Sequence, residues 1–259
     1  MRDWDINIYR GVLTGYNEAF IIDSNKREEL LAACKTEEER QRTTEIIRPI
    51  LRGRDIKKYS YDWADLWLIN THNGVKDSHP PVNVEDYPTL KNHLNQYWDK
   101  ISKRDDQGIT PYNLRNCAYM DDFNKPKIVY AELARTGNAF TIDNDQLLIS
   151  NTSYMITFNK NIVCSELYNL LGFLNSKIAL FYLDFSCSKF DDNGWRWLRQ
   201  FVEKIPIPTI KSTELQTEVN NSLKCPTIEN IRKINFLVYE IIGLNAKEVD
   251  YLEKKYSNY

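Results

Sequence analysis

The chain has 259 residues, with 34 lysine and arginine side chains against 36 aspartate and glutamate side chains and a net charge of −2. An isoelectric point near 6.0 excludes a small, wholly basic nucleic-acid binder, because such domains typically have values above ~9. It does not exclude a larger domain with one basic face. Hydrophobic residues make up 42% of the chain, which at this length is enough for a sizeable buried core.

The sequence shows no targeting signal and no cysteine cluster. Its first residues, MRDWDINIYRG, lack the basic start and apolar run of a signal peptide. The longest apolar stretch, Leu167–Phe185, is interrupted by polar side chains and does not suit a membrane span. The five cysteines are scattered without a C-x-x-C pair, which predicts neither a disulfide framework nor a zinc cluster. We therefore expect a cytoplasmic protein that contacts no membrane.

The N-terminal part of the chain predicts two strands and then two helices. Residues Ile6–Ile22 have the pattern of two short strands joined by a turn through Thr14–Asn17. The expected helix signals are Asp23 or Ser24 as the first cap, Thr36 with Glu39 as a capping box for the second helix, and Pro49 as its end.

Further strands and helices follow along the chain. The expected strands are Leu66–Ile69, Lys127–Glu132, Gln146–Ser150 and Tyr154–Phe158, with a shorter one at Asn138–Phe140. The expected helices are Tyr87–Lys103, Ser165–Phe185, Trp195–Lys204 before the Ile205–Pro208 strap, and three more starting near Ser212, Thr227 (ending at Gly243) and Ala246. This order predicts a mixed α/β fold, a twisted mixed β-sheet flanked by helices. We expect one domain over residues 1–210 and a small helical C-terminal part over residues 211–259.

Motifs for catalysis are weak. The sequence has neither the glycine-rich cofactor turn nor the Asn/Asp-Pro-Pro-aromatic run that methylation of a DNA base requires. Its one Glu-x-Lys, Glu253-Lys254-Lys255, has Asp250 too close to serve as the distant carboxylate of a metal nuclease. His72 and His79 match no zinc spacing. No catalytic residue, metal site or cofactor is therefore expected in this chain, and a small metal-dependent DNA endonuclease is the alternative function.

Positive charge is concentrated in Arg40–Lys58. Within this stretch, Arg52-Gly53-Arg54 is the most informative part, because a glycine lets the backbone approach a phosphate while the guanidinium groups on either side stay free. Arginine suits both guanine and phosphate. A solvated basic face paired with neighbouring glutamates is the competing interpretation.

Three other segments carry side chains suited to DNA. Thr71-His72-Asn73 lies in a loop after a strand, and asparagine suits adenine, although an Asn-Gly pair also favours a simple turn. Lys127 opens a strand, where lysine either holds a phosphate or guards the strand edge. Trp195-Arg196-Trp197 is expected at a helix start, where backbone N–H groups favour phosphate.

Several of these segments occur in the order typical of one family. They are Tyr9–Phe20, Ile50–Ile56, Leu68–Gly74, Lys125–Tyr130, Ser150–Tyr154, Leu170–Lys177, Trp195–Trp197 and Ile205–Pro208. Together they resemble the TaqI-like C-terminal specificity domain, which is found in adenine-specific DNA methyltransferases and in single-chain type IIG restriction-modification enzymes. The resemblance runs from Ile8 to Pro208, and the tail Phe236–Tyr251 is similar to the family's usual ending.

The resemblance implies a target-recognition domain that closes on DNA opposite a methyltransferase domain and reads bases in the major groove. S-adenosylmethionine and Mg²⁺ would belong to catalytic domains outside this chain, which would be a fragment or a separate specificity subunit. Double-stranded DNA and a methyltransferase domain or subunit are the implied partners, and a pure docking subunit of the methyltransferase is a further alternative. The residues expected to contact DNA are Arg10, Thr14, Asn17, Arg52, Gly53, Arg54, Thr71, His72, Asn73, Lys127 and Arg196.

Overall fold

The computed structural model describes residue 1 and residues 4–76, 78–159, 164–191, 194–208 and 211–259. Its strands are β1 (Ile6–Arg10), β2 (Ile21–Asp23), β3 (Ile47–Leu51), β4 (Ile56–Lys57), β5 (Ser60–Tyr61), β6 (Leu66–Ile69), β7 (Lys127–Ala131), β8 (Leu133–Ala134), β9 (Phe140–Asp143), β10 (Leu148–Ile149), β11 (Ser153–Phe158), β12 (Ser188–Asp191) and β13 (Gly194–Arg196). Its helices are α1 (Asn17–Phe20), α2 (Ser24–Ala32), α3 (Glu37–Ile46), α4 (Pro88–Asn95), α5 (Trp98–Ile101), α6 (Cys164–Leu174), α7 (Lys177–Ser186), α8 (Arg199–Val202), α9 (Thr213–Lys224), α10 (Ile228–Ile242) and α11 (Ala246–Lys255). The mixed α/β fold class is confirmed.

The central sheet is antiparallel, with the strand order β1-β11-β7-β9. Every residue of β7, β9 and β11 is buried, because both faces of the sheet are covered. Ile128 and Tyr130 face a first hydrophobic core, whereas Val129 lies in a second core on the opposite face. A strand covered on both faces has a largely apolar sequence, which is why β7 and β11 were recognisable from sequence. The strand expected at Asn138–Phe140 instead runs from Phe140 to Asp143 as β9.

A second sheet, with the order β10-β3-β6-β2, lies beside the second core. β10 pairs with β3 in parallel, while the other two pairings are antiparallel. A third, smaller core packs helices α2, α3 and α4 on this sheet through Leu30, Ile46, Ile69 and Leu90. The expected mixed sheet is therefore present as this four-stranded sheet, next to a purely antiparallel one.

The C-terminal helices complete the first core. Leu215 and Val219 of α9, together with Ile234 and Val238 of α10, are buried in the same core as the central sheet. The three predicted helix starts are confirmed by hydrogen bonds from backbone N–H groups to the side chains of the caps Ser212, Thr227 and Asn245, and by Gly243, whose φ of 74° ends α10. The division at residue 210 stays a prediction, and residues 209 and 210 lie outside the described residues.

The predicted N-terminal hairpin is wrong. β1 pairs with β11 in the central sheet, whereas β2 pairs with β6 in the second sheet. Between them, the Val12 N–H donates to the Ile149 carbonyl (2.7 Å), and Asn17 starts helix α1. The segment therefore carries the chain from one sheet to the other, a long-range arrangement that a local turn pattern does not reveal.

The N-terminal helix caps are confirmed, but the end of the second helix is not. Asp23 and Thr36 accept hydrogen bonds from backbone N–H groups at the starts of α2 and α3. α3 ends at Ile46, and Pro49 lies inside strand β3. The apolar residues of β3 are buried in the hydrophobic cores beside the two sheets. The β-branched isoleucines among them favour a strand.

Three predicted long helices have internal breaks. Tyr87–Lys103 divides into α4 and α5, and Ser165–Phe185 divides into α6 and α7 where Ser176 accepts a hydrogen bond from the Ala179 N–H. Trp195–Lys204 begins as strand β13, and the helix α8 starts only at Arg199. The sequence Asp192-Asn193-Gly194 also predicts a tight turn before this segment, and residues 192 and 193 lie outside the described residues.

Candidate DNA interface

Three distant segments of the chain meet at the turn formed by residues 150–153, between β10 and β11. The Gly11 N–H donates to the Ser153 carbonyl (2.9 Å), and the Gly53 N–H donates to Thr152 Oγ1 (3.0 Å). The Glu132 N–H donates to the Thr152 carbonyl (2.9 Å). A Cβ on either glycine would collide with backbone oxygens of this turn, so both glycines are required by close approach.

Two arginines share one carboxylate beside this turn. Arg10 donates from Nη2 to Glu132 Oε2 (2.7 Å) and from Nε to the Asn151 carbonyl (2.8 Å). Arg196 lies on the other side, with its Nε 3.7 Å from Glu132 Oε1. The arginine side chains are 49% and 48% exposed, whereas the Glu132 side chain is 11% exposed. Both guanidinium groups therefore face solvent from an anchored position.

Arg52 is paired with a carboxylate, whereas Arg54 is exposed. Arg52 donates from Nε and Nη2 to the two oxygens of Asp55 (2.8 and 2.9 Å). The expectation that both guanidinium groups beside Gly53 are free is therefore wrong for Arg52. Arg54 is exposed and follows Gly53, whose N–H is bonded to Thr152 of the turn. We name Arg10, Arg54 and Arg196 the arginine cluster.

Gly53 itself is buried against the protein backbone. Its N–H is used by Thr152, and a Cβ would lie 3.3 Å from the Ala131 Cβ as well as against the Thr152 carbonyl. The expectation that Gly53 admits a phosphate is corrected, since the surface that it approaches closely is the 150–153 turn.

The other predicted contacts lie around the loop of residues 104–116. Arg104, which is 7% exposed, organises this loop. Its guanidinium group donates to four carbonyl oxygens, those of Thr14, Asp106, Pro111 and Asn113. The guanidinium also lies over the Phe20 ring, 4.6 Å from the centroid. Burial lowers the pKa of Arg104 to about 10, so the group stays charged at neutral pH.

Two of the expected DNA contacts near this loop are buried. Thr14 is 2% exposed and donates from Oγ1 to Asn17 Oδ1 (2.6 Å), and Thr71 is fully buried and donates to the Tyr112 carbonyl (2.6 Å). The expectation that these two threonines contact DNA is therefore corrected, because their hydroxyl groups stabilise the loop connections. Asn17 remains exposed at the start of α1, and its contact with DNA stays a prediction.

Asn73 and His72 are half-buried. The Asn73 side chain accepts a hydrogen bond from the Ile109 N–H (2.7 Å) and donates to the Asn116 side chain. Both the oxygen and the nitrogen of the Asn73 side-chain amide are therefore already hydrogen-bonded. His72 Nδ1 accepts from the Gly74 N–H (3.2 Å). Burial lowers the pKa of His72, which favours the neutral imidazole at pH 7.

A cavity of about 320 Å³ adjoins the segment of residues 10–17 and the loop of residues 104–116. Val12 and His72 line it together with Arg48, Arg115 and Asp121. The chain from residue 10 to residue 17 thus runs from the arginine cluster, past the cavity, to the loop of residues 104–116. The predicted residues that remain exposed or half-buried lie along this path and beside the 150–153 turn.

Lys127 is not part of this surface. Its side chain is fully buried, and Nζ lies 2.5 Å from Asp143 Oδ2 and donates to the Phe123 carbonyl (2.7 Å). The expectation that Lys127 contacts DNA is therefore wrong. Because Lys127 is the first residue of the central strand β7, its side chain is surrounded by protein. Asp143 supplies the opposite charge.

The basic stretch Arg40–Lys58 does not form one face. Arg42 donates to the Asp86 carbonyl (3.2 Å), and Arg48 donates to the Gln146 carbonyl (2.7 Å). Lys58 donates to Asn138 Oδ1 (3.2 Å). The stretch continues through a helix, a strand and a short 3-10 turn, so its charges point in different directions.

The Glu-x-Lys segment has structural partners. Glu253 accepts from Lys177 Nζ (2.7 Å) and from the Tyr239 hydroxyl (2.8 Å), and Asp250 pairs with Lys254 (2.7 Å). Among the residues that the structure describes, no group of three or more His, Cys, Asp or Glu side chains is arranged to hold a metal ion. In the same part of the chain, no helix has the length and apolar character needed to span a membrane.

Sequence reasoning missed Glu132 and Arg104, which hold the two parts of this surface in place. Glu132 follows the apolar strand β7, and an acidic residue that directly ends a buried strand is a usable signal. Arg104 stands among polar residues, and of the four carbonyl groups that it binds three lie in its own loop and one, that of Thr14, lies ninety positions earlier. No local pattern indicates that role.

Comparisons with known proteins agree on one family. A family model described as the TaqI-like C-terminal specificity domain matches residues 48–207. The type II methyltransferase M.BstVI of Geobacillus stearothermophilus is 22% identical over 247 residues, which cover 94% of this chain and 40% of that protein. The chain thus spans two fifths of the length of this relative.

Two solved structures share the fold. The type IIL restriction-modification enzyme MmeI, solved in complex with DNA, has a TM-score of 0.67 at 10% identity, covering 97% of this chain and 35% of MmeI. The type IIG restriction endonuclease BpuSI has a TM-score of 0.52 at 14% identity, covering 86% of this chain and 26% of BpuSI. Because the family model covers more than half of the chain, and the resemblance seen in the sequence is the same one, the protein belongs to the TaqI-like C-terminal specificity domain family.

Proposed function

We propose that this chain reads the DNA target site of a restriction-modification system for an adenine-specific methyltransferase or endonuclease. In this proposal the chain is a recognition domain and not a catalyst. Methyl transfer, with S-adenosylmethionine, and cleavage, with Mg²⁺, belong to domains supplied by the rest of the enzyme. Membership of a specificity-domain family supports the role.

The observation that carries the proposal is the arrangement around the 150–153 turn. Segments that are distant in the sequence meet there, so that Arg10 and Arg196 share the Glu132 carboxylate and the exposed Arg54 follows Gly53 at the same turn. Half-exposed guanidinium groups anchored beside a backbone turn are suited to phosphate oxygens and to guanine edges. The neighbouring cavity and the loop of residues 104–116 supply polar groups next to this charge.

The relatives support the choice of DNA and a methyltransferase as partners. MmeI was solved with DNA, and M.BstVI is a methyltransferase of which this chain matches 40%. We therefore propose double-stranded DNA as the ligand and a methyltransferase domain or subunit as the protein partner.

A selection from randomised DNA duplexes with the purified 259-residue chain tests the proposal. We expect enrichment of one short motif, and weaker binding at higher salt, because each phosphate contact steepens the plot of log K against log salt by ~0.9. Binding without enrichment would contradict a sequence-reading role. Cleavage of the duplexes by the chain with Mg²⁺ would instead support the endonuclease alternative.

A further inference from the structure

The backbone of Glu132 is held on both sides. Its N–H donates to the Thr152 carbonyl (2.9 Å), and its carbonyl accepts from the Trp197 N–H (2.8 Å). The first bond ties Glu132 to the 150–153 turn, and the second ties it to the end of β13. The carboxylate therefore has a defined position between the turn that anchors Arg10 and the strand that carries Arg196.

The carboxylate uses its two oxygens for two different arginines. Oε2 accepts from Arg10, and Oε1 faces Arg196. Arg10 makes a further hydrogen bond through Nε to the Asn151 carbonyl. Among the described residues, the hydrogen bonds of Arg10 use Nε and Nη2, which leaves Nη1 for a ligand. Without a carboxylate between them, two like charges this close would repel each other and their long side chains would separate.

We propose that Glu132 is a positioning residue that holds Arg10 and Arg196 together as a clamp for one phosphate of the DNA backbone. This inference rests on the proposed function. A phosphate accepts hydrogen bonds from several directions, whereas a guanine edge is filled by a single bidentate arginine. Two guanidinium groups held by one carboxylate keep a net positive charge, and both are about half exposed side by side, which suits a single anion.

The variant Glu132→Gln separates positioning from simple electrostatics by the sign of its effect. Removing a negative charge from a DNA-binding surface, by itself, would tighten binding. If Glu132 positions the arginines, the same change weakens binding by about tenfold, the value of one charge-assisted contact. It also makes the plot of log K against log salt shallower by ~0.9, since one phosphate contact is lost.

Two further variants serve as controls. Glu28→Gln removes a carboxylate that pairs with Arg27 on α2 (2.6 Å), and we expect it to leave DNA binding unchanged. In an Arg10→Ala background, Glu132→Gln should cause little additional loss, because the clamp is already incomplete. Thermal unfolding of each variant shows whether its folded fraction accounts for any loss, and a stability defect alone would not change the salt slope.

The outcomes are distinct. Weaker binding of Glu132→Gln with the shallower salt slope supports the clamp. Equal or tighter binding of this variant, while the unmodified chain still selects a DNA motif, overturns the clamp and leaves the proposed function intact. Failure of the unmodified chain to bind any duplex overturns both.

Discussion

Lys127 Nζ and Asp143 Oδ2 lie 2.5 Å apart, and both side chains are completely buried. Asp143 also accepts hydrogen bonds from the N–H groups of Asp145 (2.8 Å) and Leu147 (3.0 Å). The pair therefore joins the start of β7 to the end of β9 and to the loop that leads into β10.

Lys127→Met should destabilise the fold because it leaves the Asp143 carboxylate buried without its counter-charge. Breaking a buried pair in this way typically costs ~3–5 kcal/mol, measurable as a lower midpoint of urea unfolding. The DNA affinity of the folded fraction should not change. A stable Lys127→Met protein that has lost DNA binding would instead place Lys127 in the interface.

Arg52→Ala should mainly lower the stability and Arg54→Ala should mainly lower the DNA affinity, although the two residues are separated only by Gly53. Arg52→Ala removes both hydrogen bonds to Asp55, which is 8% exposed, and should cost about 1–3 kcal/mol of stability. Arg54→Ala changes an exposed side chain, so stability should stay within about 0.5 kcal/mol while DNA affinity falls. Urea unfolding and fluorescence anisotropy of both variants check this. Equal losses of affinity without any loss of stability would show that the Arg52–Asp55 pair opens on DNA.

Arg104→Met should release the loop of residues 104–116. Four carbonyl groups lose their shared donor, and each buried unpaired group costs about 1–3 kcal/mol unless water reaches it. We expect faster amide hydrogen exchange at residues 104–116 and at Thr14 than in β7 or β11. Uniformly faster exchange across the whole chain would mean that Arg104 supports the global fold and not this loop in particular.

Lys58 should give the stability a measurable pH dependence. Burial, and to a smaller degree the nearby charge of Lys177, lowers the pKa of Lys58 to about 8 from its usual 10.5. Below about pH 8 both the folded and the unfolded states hold the proton. Between about 8 and 10.5 the folded state releases it first, so the stability contributed by this site rises with pH.

The variant Lys58→Met lacks this titration. The free energy of unfolding of the unmodified chain, relative to that of Lys58→Met, should increase by about 2 kcal/mol between pH 7.5 and 9.5. Urea unfolding at several pH values measures the difference. A difference that does not vary with pH would mean that Lys58 keeps an ordinary pKa in the folded protein.

The fold was predicted most accurately where a buried segment has a continuous apolar sequence. β6, β7 and β11 lie close to their predicted bounds, and the caps Ser212 and Thr227 start helices as expected. The hairpin prediction was wrong because the partners of β1 and β2 lie far along the chain in two different sheets. Sequence separation on that scale leaves no local signal.

The candidate interface could be predicted only in part, because residue type does not reveal burial. Arg10, Arg54 and Arg196 lie on the surface as a binding role requires, whereas Lys127 and Thr71 are fully buried. Each buried side chain is covered by a segment distant in sequence, as Thr71 is by the loop of residues 104–116. For Arg52, the Asp55 three residues later was the one available local sign of an internal pair.

The most direct test is the affinity of the triple variant Arg10→Ala/Arg54→Ala/Arg196→Ala for the selected DNA site. Its control, Arg40→Ala/Arg232→Ala/Lys247→Ala, removes the same amount of positive charge from exposed positions on helices α3, α10 and α11. We predict that the triple variant loses at least about 100-fold in affinity and that its salt slope becomes shallower by roughly 1.8, one phosphate for the Arg10–Arg196 clamp and one for Arg54, while the control changes little. Equal affinities of the two variants, with both folded, would contradict a DNA interface at the arginine cluster.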